Sequence, residues 1–195
     1  GMVGGVGLTD DELRDQAAAI ADARDELDAD LTILHGVETN IDAEGDLSTD
    51  DDLLAELDVV VASPHAALGQ DRGPATDRLV RAVEHPSVDV LGHPTGRLIA
   101  EREGLSPDIE RVAAAAADAG TALEINADPA RLDLRGEFVR VAVDAGATIA
   151  VDTDAHAPDA LDHLRYGVHT ARRGWCEPGD LLNTRPTERL RSFLH

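Results

Sequence analysis

Lysine is absent from this 195-residue chain: all 17 of its Lys+Arg positions are arginine, set against 39 aspartates and glutamates, for a formal net charge of −22. The acids are spread along the whole sequence and do not gather into a tail, so the excess belongs to the surface as a whole. Such a surface stays hydrated in concentrated salt, where charge repulsion is screened within ~3 Å at 1 M. A salt-rich cytoplasm, as in a halophilic archaeon, is the expected setting; the alternative is an acidic partner-binding protein in ordinary salt. Cysteine is scarce too. The single Cys176 excludes an intrachain disulfide and any zinc site built on cysteine, which points to an intracellular chain.

Other absences narrow the function. No apolar run approaches the roughly 20 residues of a membrane span, and the opening GMVGGVGLTDDEL has neither a basic flank nor an apolar signal core, so a soluble cytoplasmic protein without a membrane partner is expected. The two common glycine-rich phosphate loops are missing from every predicted strand-to-helix turn, which argues against a P-loop or dinucleotide-binding protein. Ser63 lacks the G-x-S-x-G elbow of one class of serine hydrolase. Aromatics make up 2% of the chain and leave few platforms for stacking bases, while a charge of −22 repels phosphates.

Five short apolar runs are present: LTILHGVE (31–38), LDVVVASPH (57–65), VDVLGH (88–93), TALEIN (121–126) and ATIAVDTDAH (147–156). Each has the length and β-branched content of a buried strand. Helical stretches are predicted over Thr9–Asp28, opening with the capping box TDDE, and over Ala75–Glu84, Pro107–Ala119 and Glu137–Ala145, with Gly120 and Gly146 as C-caps. Strands alternating with helices predict right-handed βαβ units, a parallel sheet and one α/β domain over residues 1–195.

In parallel α/β folds the functional groups stand at the carboxyl ends of the strands. The predicted strands end in Glu38, His65, His93, Asn126 and the pair Asp154 and His156. Mixed histidine and carboxylate ligands suit zinc, manganese or iron, and shared carboxylates let such a cluster hold more than one ion. Metal sites of this kind supply hydroxide near neutral pH and clamp a phosphoryl group. Arg97 and Arg131 follow the third and fourth strand ends, where their forked donors would either take a phosphate or pair with a carboxylate. His35, His85, His163, His169, His195 and Cys176 are read as structural, capping or packing residues.

These residues also carry a family resemblance. GVE (36–38), ASPH (62–65), DVLGHPTGRL (89–98), LEINADPARLDL (123–134), DTDAH (152–156) and RYGVHTARRGW (165–175) resemble the PHP (polymerase and histidinol phosphatase) domain, closest to its form in family X DNA polymerases, from about Leu8 to the end. The resemblance implies a parallel-stranded, distorted (β/α)7 TIM-like barrel with a trinuclear metal site. It implies a metal-dependent phosphoesterase that processes DNA 3′ ends as a 3′–5′ exonuclease in DNA repair, stimulated by manganese. By motif, Glu38 resembles the carboxylate that bridges two metals, and His65 and His93 complete the second metal's ligands. Asp154 belongs to the first metal and His156 to the third, with Asp154 and Glu38 catalytic; Asn126, Arg97 and Arg131 would line the substrate side.

The family opens with an H-x-H motif on its first strand and a second motif ending in Asp-His, and neither occurs here. The expectation is therefore a domain lacking its first strands, holding at most one ion tightly at Glu38, His65 and His93, and showing little activity alone. A polymerase module or the missing N-terminal segment would be its partner in holding DNA. The alternatives are a small-molecule phosphatase of the histidinol-phosphatase type and a catalytically degenerate scaffold.

Overall fold

The computed structural model describes residues 8–27 and 31–194. In chain order the elements are α1 (Asp10–Glu26), β1 (Gly36–Ile41), α2 (Asp51–Leu54), β2 (Val59–Pro64), α3 (Arg72–Val83), β3 (Val90–Leu91), α4 (Ile109–Ala119), β4 (Ala122–Asn126), α5 (Gly136–Asp144), β5 (Ile149–Asp152), α6 (Leu164–Arg173) and α7 (Thr187–Arg191). The strands pair in parallel and in sequence order, β1-β2-β3-β4-β5. Helices α3 to α6 pack side by side in the same order. Sequential parallel strands with successive helices against them are compatible with a TIM-like fold. Among the described residues, β1 and β5 are the edges of the sheet.

Period-two alternation divides each strand between two environments. Val60, Ala62, Leu91, Leu123, Ile125, Ile149 and Val151 face the helices and join the main core with Leu79, Val112 and Val139. The opposite face begins apolar: Val61, Val90, Ala122 and Ala150 pack against Leu182, Leu190 and Phe193 from the C-terminal segment. That segment is tied to β5, because Asn183 Oδ1 accepts from the Val151 amide at 2.7 Å and Asn183 Nδ2 donates to the Val151 carbonyl at 2.8 Å. Farther along the strands the same face turns polar. Glu124 follows Ala122 by two residues, and Asp152 follows Ala150 by two.

The first strand differs from its predicted span. The run LTILHGVE suggests a strand ending at Glu38, whereas β1 begins at Gly36 and continues through Thr39, Asn40 and Ile41. Glu38 therefore sits inside the strand. The polar residues that look like a loop in sequence are satisfied locally: Thr39 bonds Thr49 at 3.0 Å, and the Asn40 amide donates to Ser48 Oγ at 3.1 Å. A glycine is needed at the strand's start, since a Cβ on Gly36 would lie 2.5 Å from the Val59 carbonyl oxygen. The capping box at Thr9 forms, and Gly120 ends α4 in the left-handed region. Helix α1 ends at Glu26; Asp28 and His195 lie outside the described residues. Helix α3 starts at Arg72, three residues before its predicted start.

Candidate metal centre

Glu38 projects from the polar part of the inner face, and the turns after β2 and β3 bring two imidazoles to it. His93 Nε2 is 3.0 Å from Glu38 Oε1, and His65 Nε2 is 3.5 Å from the same oxygen. The two rings meet edge to face, 5.0 Å between centroids. All three ligand atoms lie within 4.8 Å of one another, and this is the group of metal-ligating side chains found among the described residues. Bonds of about 2 Å to one central ion require such separations.

The electrostatics suit a cation. Burial acts to raise the Glu38 carboxyl, but the His93 hydrogen bond, the Ser63 hydroxyl and the two imidazole charges outweigh it and hold it at about 2. Burial lowers the His65 imidazole, so its neutral, ligating form is favoured. The Nδ1 atoms of His65 and His93 are buried without a hydrogen-bond partner among the described residues, and the rings' Nε2 atoms converge on one carboxylate oxygen. Two imidazoles and one ionised carboxylate make a donor set that fits a divalent metal.

Buried carboxyls shape the turn that carries His93. The His93 amide donates to Glu124, and the Thr95 amide donates to Asp133 Oδ2 at 3.0 Å. His93 itself takes a positive φ of 22°, which these two anchors help to hold. Gly92 lets β3 come close to β2: a Cβ there would lie 2.3 Å from Ser63 Oγ. Burial pushes the Glu124 carboxyl well up, reinforced by the adjacent Asp152, and burial also raises Asp152 and Asp133. Buried Arg78 donates to the Ala66 carbonyl at 2.9 Å and to the Ile41 carbonyl, tying the loop after His65 to the end of β1.

A second cluster stands beside the triad. Asp154 follows β5 with a φ of 49°, and its Oδ2 accepts from Asn126 Nδ2 at 3.1 Å and lies 3.5 Å from Arg131 Nε. Arg131 Nη1 is buried with no hydrogen-bond partner among the described residues. The charges of Arg131 and Asp154 both act on His65, so the two clusters adjoin. His156 is turned outward, 85% exposed, with Nδ1 2.7 Å from the Asp154 carbonyl. Arg97 points away from the triad, donating to the carbonyls of Arg131 and Leu132. The structure thus joins Glu38, His65 and His93 in one group and Asn126, Arg131 and Asp154 in another, with His156 and Arg97 outside both. Glu124, Asp133 and Arg78 received no role from sequence. Glu124 was within reach, being two residues from Asn126 in a strand with otherwise apolar neighbours.

The same chain aligns with proteins of known description. It is 43% identical over 188 residues to the DNA polymerase/3'-5' exonuclease PolX of Bacillus subtilis (strain 168), covering 96% of this chain and 33% of that protein. A probable phosphatase of Thermoanaerobacter sp. (strain X514) is 34% identical over 164 residues, 79% of this chain and 64% of its own length. A probable phosphatase of Shewanella sediminis is 30% identical over 171 residues, 83% of this chain and 67% of the relative. The chain belongs to the family of these probable phosphatases. Homology to them and to PolX implies a PHP-type domain, although no family model matches the chain. This PHP-type chain spans about a third of PolX, 33%, and about half, 52%, of a further probable phosphatase from Shewanella sp. (strain ANA-3). Among its described residues no helix is long and apolar enough to cross a membrane.

Proposed function

We propose that this chain is a metal-dependent phosphoesterase whose substrate is a DNA 3′ end, acting as a 3′–5′ exonuclease in association with a family X DNA polymerase. The observation that carries the chemistry is the Glu38, His65 and His93 triad beside a buried Arg131 nitrogen that has no hydrogen-bond partner among the described residues. When bound, a divalent ion, zinc, manganese or iron, lowers the pKa of water and offsets charge on a phosphoryl group. Glu38, His65 and His93 are the residues to hold it. Asp154, held by Asn126 Nδ2 at 3.1 Å, would serve one further ion and the outward-facing His156 a separate third one. Arg131 offers Nη1 to a phosphate oxygen, a charge-assisted contact that orients the ester.

The DNA assignment leans on the PolX relative, which aligns with 96% of this chain. A second reading is favoured by the probable phosphatases: hydrolysis of a small phosphate monoester. Net charge favours that reading over unaided DNA binding, because −22 repels a polyanion unless metals or a polymerase module hold it. The third reading is a scaffold that binds metal without turnover.

The test compares release of nucleotides from a 3′-labelled DNA strand with release of phosphate from histidinol phosphate, in Mn2+ and in Zn2+, by this chain alone and by a version extended upstream. Nucleotide release that disappears in Asp154→Ala supports the exonuclease. Phosphate release alone supports the small-molecule enzyme. Metal uptake without either supports the scaffold.

A further inference from the structure

A separate cavity of about 640 Å³ lies between the β3–α4 connection and the start of α5. None of the triad side chains lines it. Its wall carries Arg97, Arg102 and Arg135, in a chain where 17 arginines face 39 acids. These guanidiniums are held by the backbone and by an aromatic ring. Arg97 Nε donates to the Arg131 carbonyl at 2.8 Å, and Arg102 uses Nε and NH2 on the Gly96 carbonyl at 3.0 and 2.8 Å. Arg135 lies 4.0 Å above the centre of the Phe138 ring and 3.4 Å from exposed Glu137.

Neither Arg97 nor Arg102 forms an ion pair among the described residues, although acids outnumber arginines in the chain by 39 to 17. Carbonyl anchors fix the direction of each fork without cancelling its charge, so donors remain for an anion. Buried Thr95 and Asp133, 3% and 0% exposed, also line the wall; they bond each other, the Thr95 amide donating to Asp133 Oδ2 at 3.0 Å, and the Asp133 charge acts on Arg97. The apolar part of the wall includes Leu98 and Ile99, the latter 46% exposed. Exposed Glu101 and Glu103 line the cavity as well and oppose any anion, so its binding rests on the preset guanidiniums.

We propose that this cavity is a second binding site, for an organic phosphate of nucleotide size, with Arg97 and Arg102 taking the phosphate while Ile99 and the Arg135–Phe138 stack receive the ring. Its volume falls within the roughly 300–1,000 Å³ of small-molecule pockets, and the second face of a stacked guanidinium accepts a planar ring. The phosphate could be that of a free nucleotide or of a nucleotide within a DNA strand. The chemistry is the same for both. The site takes no part in metal binding, so it stands independently of the phosphoesterase reading.

Calorimetric titration of the EDTA-treated chain tests it, at the lowest KCl concentration that keeps the circular dichroism of the folded state. The probes are dTMP, inorganic phosphate and a short oligothymidylate. Saturable dTMP binding is expected, at least about tenfold tighter than inorganic phosphate, weakened about tenfold or more in Arg102→Gln, and unchanged in His65→Ala. Ile99→Glu, a change at an exposed position, should also weaken it by adding a like charge. Tighter binding of the oligonucleotide in competition with dTMP assigns the site to a strand, and weaker binding assigns it to a free nucleotide. No saturable dTMP binding to the folded chain, equal affinity for inorganic phosphate, or binding indifferent to both Arg102→Gln and Ile99→Glu overturns the proposal.

Discussion

Glu38 Oε1 and His93 Nε2 stand 3.0 Å apart although 55 residues separate them in the chain. The contact joins the first strand of the sheet to the turn after the third, and both groups offer the same space to an ion. Glu38→Gln keeps the volume and removes the charge. Zinc or manganese affinity is expected to fall by about a hundredfold or more, beyond the roughly 10–100-fold of losing only an outer partner. The double variant with His93→Gln should lose little more than either single one, because ligands of one ion act as a unit. Metal titration of the four proteins measures this; additive losses would separate the residues into different sites.

Gly92→Ala should be costly. Its Cβ would meet Ser63 Oγ at 2.3 Å and Val61 Cγ1 at 2.7 Å, so β3 must move away from β2. Overpacking of this kind costs about 1–3 kcal/mol. Urea unfolding should show that loss together with weakened metal binding, since His93 is the next residue. An unchanged midpoint would mean that the strands separate freely there.

Two carboxyls give opposite pH responses in the metal-free protein. Glu38, lowered from an ordinary value of 4.5 to about 2, contributes stability that is complete above pH 4.5 and lost as the pH falls through about 2. Glu124, raised by burial and by Asp152, contributes in the reverse sense: the folded state holds its proton more tightly, so stability declines as the pH rises from 4.5 through the raised value. Glu124→Gln removes that decline. Melting temperatures from pH 5 to pH 8 should fall less in the variant than in the parent, and parallel curves would contradict the assignment.

Salt is expected to stabilise the fold. With a net charge of −22 and no lysine, self-repulsion among surface acids opposes the compact state and is screened as KCl rises toward the molar range, where the Debye length is ~3 Å. Thermal unfolding in low and molar KCl checks this. A melting temperature insensitive to salt would show that the acids are already balanced locally.

Much of the parallel sheet is legible in the sequence because buried strands write themselves as β-branched runs, and four of the five strands fall within the predicted runs. The first does not. Thr39 and Asn40 look like turn residues, and only the distant partners Ser48 and Thr49 make them strand residues. The triad is visible because histidines and a glutamate stand at or near strand ends. Glu124 and Asp133 are hidden for a different reason: their role is to bind the backbone of the His93 turn, which depends on tertiary approach. The outward direction of His156 is likewise decided by the turn at Asp154, whose φ of 49° takes the backbone out of the extended conformation just past β5.

The claim that Glu38, His65 and His93 hold a divalent ion is tested most directly by metal analysis of the chain after dialysis against zinc or manganese, beside His65→Ala treated identically. The account predicts about one tightly retained ion per chain, lost in His65→Ala while the fold persists. A folded chain that retains no ion, or a His65→Ala variant that retains it undiminished, would contradict it.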